Sequence, residues 1–255
     1  MTGAMPDPAV LAGAAERFRA LHRPGDPVVL PNAWDATSAR IVAAQGFPVI
    51  ATSSVAVAES LGYADGGAAP PDEMFAAAAR IARAVDIPVT VDAEDGYGLG
   101  PDELVARLVA AGAVGCNIED STAGALSDVD THAVRLAEVR GAAVAAGVPL
   151  VVNARVDVFL RRGDVPEDAV VDEAVARANR YLAAGADSAY PIGVRSDAMM
   201  ARLVAEIDGP VNLNWRPDTP VSRLAALGAA RVSAGGGLWH AAMAAYRAGV
   251  ESMRD

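Results

Sequence analysis

The sequence predicts a (β/α)₈ barrel, and three observations carry that expectation. Short apolar runs rich in Val and Ile recur eight times, stretches of helical period separate them, and one phrase repeats at the ends of those stretches. The runs are VVLPN (28–32), VIATS (49–53), VTVDAE (89–94), GCNIED (115–120), LVVNARVD (150–157), SAYPIG (188–193), PVNLNW (210–215) and RVSAGG (231–236). Between them, segments such as DEMFAAAARIARAV and DELVARLVAAG place apolar residues every three to four positions. The repeated phrase is a small-residue helix end running into glycine and the next strand, as in AAQGFPVI, AAGAVGCNI, AAGVPLVV, AAGADSAY and ALGAARVS. Glycine just past a helix end takes the left-handed conformation that other residues resist.

Alternating strands and helices force parallel strands, and the runs read as apolar on both alternations, as expected for a sheet covered on both faces. A doubly wound open sheet is the alternative architecture, but no GxGxxG follows the first strand. At 255 residues with no Pro/Gly/Ser-rich linker, the whole chain, 1–255, reads as one domain. Residues 8–22 form an extra amphipathic helix ahead of the barrel, and 238–253 the last helix.

Composition narrows the chemistry. The chain contains no lysine, all 21 basic side chains being arginine, so Schiff-base enzymes and P-loop NTPases are excluded. One cysteine, Cys116, and three histidines give neither a disulfide nor a Cys/His zinc site, so any metal must be held by oxygen. A net charge of −11 argues against nucleic acid and anionic membranes as partners and for a small-molecule substrate. The expected location is the cytoplasm, because no apolar run approaches a membrane span and MTGAMPDPAVLAG lacks the pattern of a signal peptide.

Active sites of such barrels sit at the C-terminal strand ends. Those ends are acidic: Asp92, Glu94 and Asp95 after the third run, Glu119 and Asp120 after the fourth, Asn153, Arg155 and Asp157 in the fifth, with Asp65 in the loop after the second. Clustered carboxylates are costly to bury without a compensating cation, and oxygen ligands suit Mg²⁺, with Mn²⁺ as a substitute. The other reading of each acid is a helix cap, the role expected of Asp35 and Asp102. Arg155 can grip a substrate carboxylate through paired hydrogen bonds or form a structural ion pair. Ser53 and Ser54 offer hydroxyls and backbone N–H groups, or are an ordinary polar loop.

In combination and order, LPNAWDATSAR (30–40), IATSS followed by GYADG, VDAEDGYG (91–98), GCNIEDS (115–121), VNARVD (152–157) and ARVSAGGGL (230–238) resemble the isocitrate lyase and phosphoenolpyruvate mutase superfamily over nearly the whole chain. The resemblance implies a (β/α)₈ barrel, oligomeric as a homodimer or homotetramer, with the eighth helix exchanged between subunits. It implies that Asp92 binds Mg²⁺ directly, that Glu94 and Glu119 hold its waters, and that Asp65 is a further acid nearby. Trp34, Ser53, Ser54, Asn153 and Arg155 then face a small carboxylate substrate, and the shared chemistry is stabilisation of an enolate formed when a C–C or P–C bond breaks.

The departures are equally specific. Where the lyases carry a KKCGH loop with a catalytic cysteine, this chain reads STAGALSDVDTHAVR, and that loop also lacks the mutase's lysine and asparagine. Cys116 lies inside a strand and reads as core. His132 in the altered loop is either an acid or an exposed loop histidine, and AYPIG puts Tyr190 and Pro191 where the mutase has a histidine. Decarboxylation of an oxaloacetate-like acid asks least of the missing loop, so the expectation is a C–C lyase. Retro-aldol cleavage comes next, then P–C cleavage, and a degenerate barrel that only binds a carboxylate is the non-enzymatic alternative.

Overall fold

Each of the eight apolar runs contains a strand in the computed structural model, which describes residues 7–254. Met1–Pro6 and Asp255, the two ends of the expected domain, lie outside the described residues. The order is α1 (Pro8–Ala20), β1 (Val28–Leu30), β2 (Asn32–Ala33), α2 (Ala36–Ala44), β3 (Ile50–Thr52), α3 (Ser54–Leu61), α4 (Pro71–Ala82), β4 (Val89–Asp92), α5 (Pro101–Ala110) and β5 (Ala113–Glu119). It continues with β6 (Ser121–Thr122), β7 (Ala125–Leu126), α6 (Val129–Ala145), β8 (Val151–Val156), α7 (Val158–Arg161), α8 (Glu167–Ala183), β9 (Ser188–Pro191), α9 (Asp197–Glu206), β10 (Asn212–Asn214), α10 (Val221–Ala226), β11 (Arg231–Ser233) and α11 (Gly237–Glu251).

The parallel strands close on themselves. One sheet runs β2-β3-β4-β5-β8-β9 and the other β1-β11-β10. Two joints complete the ring: a parallel bridge from Ala189 to Val211 links β9 to β10, and Pro31 joins β1 to β2 as one interrupted strand. Closure removes exposed edges and excludes the open sheet.

The helices follow from local chemistry. Asp7 caps α1, its carboxylate accepting from the Ala9 N–H at 2.9 Å with Pro8 at the first helical position. Leu11, Ala14, Ala15 and Phe18 of α1 are buried beneath the barrel. Asp35 caps α2 as expected, in a reciprocal pair with Ser38. Asp102 does not cap, because Gly100 is the N-cap of α5 and Asp102 lies within its first turn, where its charge suits the helix dipole. The face of α5 carrying Leu104, Val105, Leu108 and Val109 is buried on the sheet, each such side chain contributing roughly 1.5–3 kcal/mol by leaving water.

The barrel interior corrects the expectation of strands apolar on both faces. Outward residues such as Val91, Ile118, Val152 and Leu213 are buried. The inward alternation is polar instead, and several of its members hydrogen-bond one another, while Thr90 Oγ1 and the Nε and Nη1 of Arg231 have no partner. Asn153 donates to Asn117 Oδ1 at 2.9 Å and accepts from Ser188 Oγ at 2.6 Å, Arg231 donates to Asn117 at 3.1 Å, and Asn212 donates to Ser233 Oγ at 3.1 Å.

The segment after β5, expected as one loop, is a tight hairpin of β6 and β7 followed directly by α6. The last helix, α11, has no buried residue, and Tyr246 on it is 70% exposed. At the β11–β1 seam, where a barrel helix would pack, the wall carries an apolar groove of about 380 Å³ lined by Val29, Ile41, Phe47, Trp215, Val221 and Leu238. Among the described residues no helix is long and apolar enough to cross a membrane.

Candidate active site

The strand ends bring Asp92, Glu94, Glu119 and Arg155 into one cluster. Asp92 ends β4, and its backbone N–H donates to Thr52 Oγ1 at 2.9 Å. Its Oδ2 accepts from the Ser54 N–H at 3.1 Å, at the positive N-terminal end of α3. Its Oδ1 is buried with no hydrogen-bond partner.

Glu94 follows in the turn Ala93–Gly98. It holds a left-handed backbone, φ +49°, rare for a side-chain-bearing residue, and its carbonyl accepts from the Glu119 N–H at 2.9 Å. The side chain is 4% exposed and Oε1 has no partner. Burial, then the neighbouring charges of Asp92 and Asp65, push its carboxyl up to about 7. Glu119, the last residue of β5, is pushed up to about 8 by burial, with Arg155 opposing the rise and Asp157, Asp92 and Glu94 adding to it.

Arg155 is fixed from two sides. Nε and Nη2 donate to Asp157 at 2.6 and 3.0 Å, and Nη1 meets Glu119 Oε2 at 2.5 Å. Asp157 is itself held by Ser121 Oγ at 2.6 Å, and its N–H donates to the buried Asp120. A guanidinium has five N–H groups, so these contacts leave one free on each Nη. The ion pair therefore aims the group without exhausting it.

The other expected residues fall in different places. Ser53 and Ser54 are buried at the start of α3. Asp65 stands on the exposed rim, its carboxyl raised by burial and by Asp92 and eased by Ser54. Trp34 packs edge-on against Trp239, ring centres 5.2 Å apart. Asn153 lies deeper, its amide engaged at both ends in the interior network described above. Cys116 is fully buried and its thiol is pushed up to about 12, in keeping with core packing.

His132 is not an exposed loop residue. It lies in the first turn of α6, 4% exposed, its ring edge-on to Tyr181 at 4.8 Å. Burial, reinforced by Arg135 and Arg177, lowers it to about 4, so it is neutral near pH 7. It lines a cavity of about 430 Å³ together with Glu119, Thr122 and Arg135.

Two strand ends escaped the sequence reading. Asn214 of β10 and Ser233 of β11 stand close to the Tyr190 hydroxyl, completing the ring opposite the acids. The available signal was the polar alternation Asn212/Asn214 and Arg231/Ser233 within runs that otherwise look apolar.

The donor set suits a hard cation. Two buried carboxylate oxygens lack partners and the charge of Asp92 raises Glu94, Glu119 and Asp65, yet among the described residues no three His, Cys, Asp or Glu side chains stand as a direct chelate. Such a set fits an ion that takes few carboxylates directly and keeps its waters, as Mg²⁺ does.

A closed α/β barrel with acids and an arginine converging at its strand ends defines a class, and comparison with known proteins supplies the family. Residues 18–254 match the phosphoenolpyruvate phosphomutase family, to which this chain belongs. A protein of Mycobacterium tuberculosis (strain H37Rv) with no assigned role is 37% identical over 233 residues, covering 89% of this chain and 87% of its own. Oxaloacetate decarboxylase of Chromohalobacter salexigens is 32% identical over 251 residues, 93% of this chain and 84% of its own. A crystal structure from Burkholderia cenocepacia J2315, provisionally called a phosphonomutase, superimposes with a TM-score of 0.89 at 43% identity, covering 93% of this chain and 99% of that one.

Proposed function

We propose that this chain is a Mg²⁺-dependent C–C lyase that cleaves a small 2-oxo or 2-hydroxy di- or tricarboxylate through an enolate, with oxaloacetate-like decarboxylation the favoured reaction. The observation that carries this is the pairing of unpartnered buried carboxylate oxygens on Asp92 and Glu94 with a fixed guanidinium on Arg155. Asp92 would hold the ion directly, with Glu94, Glu119 and Asp65 on its waters, and Mn²⁺ could substitute. When bound, the ion supplies a Lewis acid beside the 2-oxo group.

The chain's own residues do the rest. Arg155 keeps N–H groups on its Nη atoms beyond those given to Asp157, with which to meet a carboxylate. Ser53 and Ser54, at the N-terminal end of α3, add donors for the anionic end of the substrate, with Trp34 beside them. With the substrate so fixed, loss of CO₂ leaves its bonding pair in the enolate, and no base is needed to start the step.

P–C cleavage is the second reading, favoured by the likeness to the Burkholderia protein. Against it stands the short hairpin Ser121–Leu126, which has none of the lysine and asparagine of the mutase loop. The test is turnover with Mg²⁺ of oxaloacetate, substituted 2-oxo and 2-hydroxy diacids, and phosphonopyruvate. Release of CO₂ or of a C–C cleavage product, abolished by EDTA and reduced at least 100-fold by Asp92→Asn, is the expected result. Phosphate release from phosphonopyruvate alone would replace the lyase reading, and tight Mg²⁺-dependent binding without any product would make the chain a carboxylate-binding barrel.

A further inference from the structure

An enolate must be protonated before it leaves as a 2-oxo acid, and the usual donors are absent from this barrel. No cysteine stands in the β6–β7 hairpin, and His132 is a neutral ring beside a cavity behind Glu119. Glu119 is tied to Arg155. Tyr190 remains.

Tyr190 is the third residue of β9 and pairs in register with Arg155 of β8, so both side chains enter the barrel at one level. It is 3% exposed, yet its hydroxyl has no hydrogen-bond partner. Buried phenols nearly always find one. Around it stand Arg155, Asp92, Ser233 and Asn214, the groups that ring the barrel mouth. Burial keeps the phenol protonated, pushed up to about 12 with Arg155 opposing the rise.

We propose that Tyr190 is a catalytic residue, its hydroxyl delivering the proton to the substrate's enolate carbon. The inference rests on the lyase reading above. The bond between C3 and the departing carboxylate breaks, CO₂ leaves, and the electron pair becomes the C2–C3 enolate. A C–H bond then forms at C3 with the Tyr190 proton, and the phenolate, beside the Arg155 guanidinium, recovers a proton from water. One proton is consumed per CO₂ released, and nothing is oxidised or reduced.

Tyr190→Phe tests this, because it removes an oxygen that makes no well-formed hydrogen bond, with only Ser233 and Asn214 in weak reach, and should leave the melting temperature close to that of the wild type. With Mg²⁺ present, kcat should fall at least 100-fold with KM within about threefold, the scale of a lost general acid. With a 3-methyl-substituted 2-oxo diacid in D₂O, wild type should give one enantiomer of the deuterated product and the variant a racemate. Oxalate, one of whose oxygens stands where C3 would be, should bind about tenfold more weakly to Tyr190→Phe in Mg²⁺-dependent calorimetry. Unchanged oxalate affinity, or kcat within threefold of wild type, overturns the proposal. If the wild type turns over no 2-oxo diacid, the lyase reading fails and the oxalate comparison alone decides whether the Tyr190 hydroxyl faces the ligand. Failure of wild type to bind oxalate overturns both.

Discussion

Glu94 joins several costs in one residue: a left-handed backbone, a buried carboxylate and two acidic neighbours. Strain of this kind persists where function needs it. Its folded pKa, about 7, lies above the ordinary carboxylate value, so the stability it contributes is complete at low pH and is lost as pH rises through about 7. Glu119 follows the same sign at about 8. EDTA-treated protein should therefore lose stability as pH rises from about 4.5, the ordinary carboxylate value, to about 8, and level off above it. Glu94→Gln should flatten that loss and stabilise the metal-free protein at pH 8 by on the order of 1–2 kcal/mol, discounted for solvent screening, while weakening Mg²⁺ binding. Melting curves across that range check it, and a variant less stable than wild type at pH 8 would contradict it. The acids were legible in the sequence because they stand where apolar runs stop. The aim of Arg155 was not, because Glu119, one of the two carboxylates that hold it, comes from a different strand, while the other, Asp157, follows directly after its own strand.

At the scale of elements, every predicted strand and the two flanking helices were legible, since period and the glycine phrase are local signals. The hairpin was missed because two-residue strands leave almost no periodicity, although Ala123 and Gly124 both adopt positive φ at its turn. The helical start at Val129 has a signal in Asp128, which caps it by accepting from the Thr131 N–H at 2.9 Å. The most consequential element is α11, which buries nothing while the β11–β1 seam leaves an apolar groove open. A helix rich in Ala, Leu238, Trp239 and Met243 needs a partner surface, and the seam needs a helix. We propose that exchange of α11 between two copies satisfies both. Ile41 is 61% exposed in this groove, so Ile41→Arg should leave the fold intact and convert a dimer or tetramer to monomer in light scattering. A wild-type chain that is monomeric at micromolar concentration would contradict the exchange.

For the whole molecule, the polar interior was the largest misreading. Asn, Ser and Arg scattered singly through Val-rich runs look like noise, and only closure of the ring makes them neighbours that hydrogen-bond one another. Closure also gathers acids from separate βα units at one end of an already acidic protein of net charge −11. The proposed cation at that end would relieve this concentration of like charge. The most direct measurement of this is thermal unfolding of EDTA-treated wild type and Asp92→Asn with Mg²⁺, with oxalate, and with both. At about 100 times the dissociation constant, ligand adds roughly 2.7 kcal/mol, on the order of 5 °C for a chain of this size. A shift of that size that needs both Mg²⁺ and oxalate in wild type and is absent in Asp92→Asn is the result expected. No shift in wild type at millimolar ligand, or an equal shift in Asp92→Asn, would contradict the metal–enolate site.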